Sequence, residues 1–260
     1  MPTPDSRLAC DGRTVADVAR EAGDALEACL AANHGSLAAL IVEPLVQGAA
    51  GMVMYDASYL VRARELCTRY GVHLIADEIM TGFGRAGTLF AWEQSGAPHP
   101  DFMCLSKGIT GGFLPLACVL ASDAIYAGFY DDDVARGFLH SHSYTGNPLA
   151  CRAALAVLDV FRDDDVIEAN RAKASRWDVL AAPLAAHPKV RDFRRRGTIV
   201  AFEVDTDRPD FARRAFTAGL ERGILLRPIG RTVYFMPPYV IADEEFALLV
   251  ERTGEVVDAL

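Results

Sequence analysis

The 260-residue sequence contains no apolar run approaching the ~18–20 residues of a membrane span, so no membrane-crossing helix is expected. Its start, Met1-Pro2-Thr3-Pro4-Asp5-Ser6-Arg7, lacks the apolar core of a signal peptide. The six cysteines (Cys10, Cys29, Cys67, Cys104, Cys118 and Cys151) are scattered and include no C-x-x-C pair, which argues against a disulfide framework. Positive charge is also in short supply. Twenty-six basic residues face 35 acidic ones, a net charge of −9, and such a balance does not suit a nucleic-acid or anionic-membrane surface. No internal repeat or low-complexity tract is visible. These absences leave a soluble, cytoplasmic chain that binds neither nucleic acid nor membrane, and 51% hydrophobic with 23% charged residues is ordinary globular composition.

What is present alternates between buried strands and helices. Val15, Val18, Ala22, Leu26, Cys29 and Leu30 recur at helical spacing over 14–32. The run Leu37–Val42, ending at Glu43-Pro44, has the continuous apolarity of a strand buried on both faces of a parallel sheet. A helix over 58–70 closes at Gly71 and is followed by a strand at 72–76 that ends at Asp77-Glu78. Further strands are expected at 102–105, ending at Ser106-Lys107-Gly108, and at 116–121. Asn147-Pro148 is an N-cap followed by proline, opening a helix to about residue 161. Asp163-Asp164-Asp165 marks a surface break, which places one domain over 1–162 and a second over 163–260. The second carries a long helix at 166–186, strands near 189–195, 198–204, 224–227 and 232–235, and helices near 209–222 and 243–258. The fold class is α/β, a mostly parallel sheet followed by a smaller α+β domain.

Ligands collect at the carboxyl ends of parallel strands. Here those ends carry Glu43, Asp77-Glu78 and Ser106-Lys107. Taken alone, Asp77 and Lys107 read equally well as a structural ion pair or as working groups, since burying either is costly unless it is paired. The flanking Ser-Lys-Gly-Ile-Thr-Gly-Gly stretch leaves the backbone around Lys107 open to close approach by another molecule. A lysine amine can form a Schiff base with an aldehyde, and pyridoxal phosphate chemistry pairs such a lysine with an acid at the pyridine nitrogen.

The surrounding segments are more specific. Ile75-Ala-Asp-Glu-Ile-Met-Thr-Gly-Phe-Gly-Arg-Ala-Gly87, Pro100-Asp101 and Leu105-Ser-Lys-Gly-Ile-Thr-Gly-Gly112 resemble the signature of class III aminotransferases, which are fold-type-I enzymes dependent on pyridoxal 5′-phosphate. Glu43–Gly48 and His140–Pro148 fall where that family has related segments, and the resemblance runs from about residue 37 to the C-terminus. It implies that Lys107 carries the cofactor and then moves the proton between substrate Cα and cofactor C4′, so that it also touches substrate. By the same resemblance Asp77 pairs with the pyridine nitrogen, and His142 and Ser143 meet the cofactor phosphate of the neighbouring subunit in a homodimer. Ser143 stands where the family often has threonine, and the hydroxyl donor is kept. Ser141 is implied to lie near substrate and Arg227 to bind its carboxylate, for which a planar two-pronged donor is suited.

Segments 46–52, 227–230 and 236–241 are most like those of family members that aminate 8-amino-7-oxononanoate in biotin synthesis, with S-adenosylmethionine as the usual amino donor. Another class III ω-amino-acid transaminase is the alternative within the family. The resemblance also implies that the family's Gly-Ser phosphate loop and ring-stacking aromatic residue lie in an N-terminal part that this sequence lacks. That predicts an incomplete sheet with an open apolar edge, and leaves an inactive truncated fragment as a second reading. Residues outside the motif have plainer readings. Arg227 also suits a strand cap or an ion pair, His140 and His142 lack a third metal ligand, and Glu78, Trp92 and Tyr144 suit satisfied or packing positions.

Overall fold

The computed structural model describes residues 1–260, which form two compact units. The first comprises 1–45, 55–83 and 88–165; the second comprises 46–54, 84–87 and 166–260. No helix is long and apolar enough to cross a membrane, and all six cysteines are free thiols.

The first unit is built on a four-stranded sheet of β1 (Ala39–Val42), β4 (His73–Asp77), β5 (Phe102–Leu105) and β6 (Cys118–Ala121), in that spatial order. β1, β4 and β5 run parallel; β6 is antiparallel to β5. Helix α1 (Val15–Asn33) starts at a capping box, in which Thr14 Oγ1 accepts from Asp17 N and Thr14 N donates back to the Asp17 carboxylate. It packs on α2 (Ser58–Tyr70), which in turn packs on β4. The register places Leu74, Ala76 and Leu105 on one face of the sheet, where they are buried. The short helix α3 (Asp123–Ala127) follows β6, and helix α4 (Pro148–Asp163) contributes Ala154 and Phe161 to the cluster around Leu105, Ile109 and Phe83.

The opposite face carries Ile41, Ile75, Asp77, Phe102, Cys104, Val119 and Ala121, and it is largely open. Ile41 and Val119 are each 60% exposed. The expectation that 37–42 is buried on both faces is therefore corrected. β1 is a four-residue edge strand with alternating exposure, because nothing covers its second face and no strand lies beyond it.

Asp101, at the entry to β5, locks this layer together. Its Oδ2 accepts from Leu74 N at 2.7 Å and from Arg64 Nη1 of α2 at 2.9 Å. Burial works against the charged carboxyl, but the Leu74 amide and the Arg64 guanidinium outweigh it and hold the pKa below the ordinary carboxylate value. A group depressed in this way lends stability above its unfolded pKa and loses it as pH falls through the folded one. Asp101→Asn is thus expected to cost about 1.5–3 kcal/mol near neutrality, the usual worth of hydrogen bonds to a charged group. Urea denaturation of both proteins should show that difference shrinking below about pH 4. A cost independent of pH would exclude the charge as its source.

In the second unit, β7 (Val190–Arg196), β8 (Ile199–Val204) and β9 (Thr232–Phe235) form an antiparallel sheet. Helices α5 (Val166–Leu180), α6 (Ala182–Ala185), α7 (Phe211–Glu221) and α8 (Asp243–Ala259) accompany it. The core gathers Trp177, Phe202, Phe211, Phe235 and Phe246, with Trp177 and Phe246 stacked at 4.1 Å. A short hairpin of β2 (Val46–Gln47) and β3 (Val53–Met54) belongs here, its turn held by Arg194, which donates to Gly51 O and Met52 O.

Two expectations need correction in this unit. The helix predicted over 166–186 breaks at Ala181, since Pro183 has no N–H to donate to the carbonyl four residues back and its ring crowds that carbonyl. The strand predicted at 224–227 does not form. Ile224 and Leu226 point inward and Leu225 and Arg227 outward, the alternation of a strand, yet Pro228 interrupts the donor row and only the Ile229–Thr232 bridge pairs with the edge of β9.

Candidate active site

Asp77 is the last residue of β4, and Lys107 lies two residues past the end of β5. The two strands are parallel neighbours with Asp77 opposite Cys104, so carboxylate and lysine stand at the same carboxyl edge of the sheet. They do not form the structural ion pair that the sequence left open. Asp77 is half-buried and its Oδ1 accepts from Ile79 N at 3.1 Å, whereas Lys107 is exposed.

The sequence holds only three lysines. The Lys173 amine donates to Tyr239 O and Ile241 O, and that of Lys189 to Val257 O and Asp258 O. Lys107 is therefore the lysine whose amine is left available. That scarcity was readable in the sequence and adds weight to its motif.

The backbone at Lys107 is unusual as well. Its φ of +46° lies in the left-handed region, which costs a side-chain-bearing residue about 1–2 kcal/mol. Such strain persists where the surroundings impose it and clusters at functional sites. The turn it opens is pinned on both sides. Ser106 Oγ donates to Leu116 O at 2.9 Å, Thr110 Oγ1 to Leu114 O at 2.6 Å, and Ile109 N to Ser106 O at 3.1 Å.

Glu78 supports the neighbouring strand end. Its side chain is fully buried and accepts from Thr81 Oγ1 at 2.5 Å, Ala91 N at 3.1 Å and Trp92 N at 2.7 Å. Burial raises its pKa despite those donors. The satisfied-neighbour reading of Glu78 is the one the structure shows, with the carboxylate tying both ends of the 79–90 loop to the end of β4. Cys104 is the near neighbour that sequence reasoning did not single out. Burial, and then the negative charge of Asp77, push its thiol pKa up.

The other predicted residues stand on other elements. Ser141, His142 and Ser143 are exposed, on the segment before α4. His142 bonds within that segment, its N donating to Thr145 Oγ1 and its Nδ1 accepting from Tyr144 N. Trp92 is buried, as a packing residue should be, but Tyr144 is 75% exposed, with its ring tilted toward that of His142. Arg227 is exposed in the second unit, on the irregular segment before β9. No cluster of three or more histidine, cysteine or carboxylate side chains is arranged to hold a metal.

A carboxylate and a free primary amine at adjacent strand ends are the donor set that pyridoxal phosphate requires. At the ring and aldehyde end, the residues present fit that group.

Comparison with known proteins agrees with this chemistry. Residues 4–257 match the family Aminotransferase class-III. The adenosylmethionine-8-amino-7-oxononanoate aminotransferase of Helicobacter pylori is 43% identical over 243 residues, covering 91% of this chain and 56% of the relative. The protein of that name from Nitratidesulfovibrio vulgaris is 45% identical over 241 residues, covering 88% and 44%. The chain thus spans about half the length of the curated relatives it matches. Among solved structures, the Methanocaldococcus jannaschii adenosylmethionine-8-amino-7-oxononanoate aminotransferase superposes with a TM-score of 0.86 at 32% identity, over 92% of this chain and 57% of that one. The omega transaminase of Pseudomonas jessenii in complex with PMP gives 0.90 at 27% identity, over 99% and 59%. The chain carries the fold of these transaminases.

Proposed function

The chain belongs to the class-III aminotransferase family, and on that premise we propose that it is the catalytic portion of a pyridoxal-phosphate-dependent aminotransferase acting on 8-amino-7-oxononanoate. The observation that carries the proposal is the placement of Asp77 and Lys107 at adjacent strand ends, with Lys107 the one lysine whose amine is uncommitted. The substrate follows from relatives that bear that activity in their names at 43% and 45% identity.

Pyridoxal phosphate, when bound, supplies an aldehyde and an electron-withdrawing ring. Asp77 accepts a hydrogen bond from the pyridine N–H and keeps that nitrogen protonated; Ile79 N holds the carboxylate in place. Lys107 would hold the cofactor aldehyde through its amine and, as a free amine, would carry the proton from the substrate Cα to cofactor C4′. Arg227 offers a planar donor pair to the substrate carboxylate. His142, Ser143 and Ser141 stand on an exposed segment, which suits a role toward the cofactor and substrate of a neighbouring subunit in a homodimer. Exposed Tyr126, Tyr130, Phe138 and Leu139 nearby are in keeping with such an interface. The free thiols accord with a cytoplasmic setting.

The test is amino transfer to 8-amino-7-oxononanoate after loading with pyridoxal phosphate, with S-adenosylmethionine and lysine compared as donors. Ornithine and 4-aminobutyrate serve as ω-amino donors, because omega transaminases also match the fold. Formation of 7,8-diaminononanoate from either of the first two donors is the expected result. Turnover of ornithine or 4-aminobutyrate with a 2-oxo acid acceptor, and none with 8-amino-7-oxononanoate, would reassign the substrate and keep the reaction type. Absence of transfer with every donor would remove the activity from this chain.

A further inference from the structure

The loop that leaves Asp77 comes back to touch the turn at Lys107. Glu78 closes this loop through Thr81, Ala91 and Trp92. Inside it Phe83 is buried, with a left-handed backbone of its own at φ +55°. Its ring meets Phe90 and Phe161 edge-on, with centroids at 5.8 and 6.3 Å. The remaining side of Phe83 lies against Gly108, the residue after Lys107. A Cβ on Gly108 would stand 2.8 Å from Phe83 Cβ, 2.9 Å from Cδ2 and 3.0 Å from Cγ. Real Cβ atoms do not approach so closely, so the contact exists only because residue 108 has no side chain.

We propose that Phe83 is a positioning residue. Wedged between α4 and Gly108, it braces the Lys107 backbone in its left-handed conformation and so fixes where the Lys107 amine stands relative to the Asp77 carboxylate. The geometric half of this inference stands on the contacts alone. Its catalytic consequence rests on the reading of Lys107 as the cofactor lysine.

A side-chain-bearing residue stays at positive φ only when its surroundings leave no alternative. The side-chain hydrogen bonds of Ser106 and Thr110 fix the flanks of the turn, and the Ile109 N–Ser106 O bond closes it across Lys107 and Gly108, but none of them packs against the Lys107–Gly108 peptide from the side. The three nearest atoms that a side chain at 108 would meet all belong to Phe83. The same ring is anchored at its far side by Phe161 of α4, so it cannot recede without unpacking that helix. Through this wedge the loop after β4 and the turn after β5, which carry the two proposed cofactor residues, are held as one piece.

The test uses the whole chain with Phe83→Leu and Gly108→Ala, and with Phe83→Met as the volume-conserving variant. Leu66→Ala, at a fully buried position on α2, serves as a general destabilisation control. Hydrogen exchange is read at the Ile109 and Gly111 amides, which donate to Ser106 O and Gly108 O only while the turn is closed. Phe83→Leu and Gly108→Ala are expected to accelerate those two amides about tenfold beyond any change elsewhere in the unit, with Phe83→Met close to the parent. Leu66→Ala should raise exchange without that preference. If Phe83→Leu matches the control, the brace is refuted.

The second readout is pyridoxal phosphate binding followed by borohydride trapping and peptide mapping. Phe83→Leu should lower the share of adduct on Lys107 and move the pH midpoint of the visible band, changes that a merely stabilising residue would not produce. Unchanged trapping and midpoint despite an opened turn would overturn the positioning role. A parent chain that gives no adduct on Lys107 while Phe83→Leu still opens the turn would leave the brace standing and refute the cofactor reading instead.

Discussion

Alanine in place of Lys107 is expected to abolish the visible band that forms with pyridoxal phosphate, and with it the borohydride-stable adduct, without loosening the fold. The side chain is exposed, so its removal exposes no cavity and orphans no buried partner, and the change in unfolding free energy should stay within about 0.5 kcal/mol. Mapping is clean because only Lys173 and Lys189 remain, and both amines are engaged by backbone carbonyls. Loss of a group that moves the substrate Cα proton takes roughly 10²–10⁴ from the rate, and loss of the tether adds to it. Asp77→Asn separates the two roles. The asparagine oxygen can still accept from Ile79 N, so the loop stays in place, but the negative charge facing the ring nitrogen is gone. Lys107 should then still be trapped, while amino transfer falls by roughly 10²–10³, the usual scale for removing one preorganised electrostatic partner. A band of equal intensity in Lys107→Ala, with the adduct moved to Lys173 or Lys189, would sink the assignment.

The parts of this site that were legible in the sequence are those in which local pattern and chemistry coincide. β4 and β5 are short apolar runs that stop at charged residues, and a strand that stops at a charge displays it at the sheet edge. α2 and α4 announce themselves by helical spacing and by their ends, Gly71 in one case and Asn147-Pro148 in the other. Asp77 and Lys107 follow from those elements together with their motif. The features that escaped are products of tertiary contact. Continuous apolarity in 37–42 says that the strand can be buried on both faces, not that anything lies against the second face. The inward-facing Ile224 and Leu226 produce a strand-like alternation, yet a ladder also needs an uninterrupted donor row, which Pro228 denies.

Long-range placement was the least legible. Segments 46–54 and 84–87 pack with a sheet that begins more than a hundred residues later, at Val190, and no periodicity marks them for it. The left-handed φ at Lys107 and Phe83 was hidden for a related reason, since neither residue type favours it and only the surrounding packing selects it. Glycine spacing near Lys107 hinted at close approach, but it suggested a ligand where the structure places Phe83 against Gly108.

Gly197→Ala is expected to be the most destabilising single-methyl change in the second unit. Gly197 forms the tight turn between β7 and β8 with φ +56°, and a Cβ there would stand 2.4 Å from Arg85 O, 2.5 Å from Ala86 C and 2.6 Å from Gly87 N. All three are backbone atoms, so no side chain can swing aside to make room. The 84–87 segment is also held on this turn from several directions. Thr198 N donates to Arg85 O at 3.0 Å, and Arg85 Nη1 donates to Pro237 O at 2.7 Å and to Thr198 Oγ1 at 3.2 Å. The Arg85 guanidinium lies 4.3 Å from the Tyr239 ring centroid, and burial pulls its pKa down, so this is a desolvated cation that depends on those partners. Forcing 84–87 away therefore costs the collision, the left-handed strain and the Arg85 contacts together, about 3–5 kcal/mol in all. Gly223→Ala isolates the strain. Its φ is +75° but nothing lies within 4 Å of the added methyl, so only about 1 kcal/mol is expected. Both costs can be read by urea denaturation in a Trp92→Phe background, where Trp177, stacked on Phe246 in the second unit, is the remaining tryptophan reporter. Equal losses in the two variants would mean that the approach of 84–87 to this turn contributes nothing, and that positive φ alone sets the requirement for glycine.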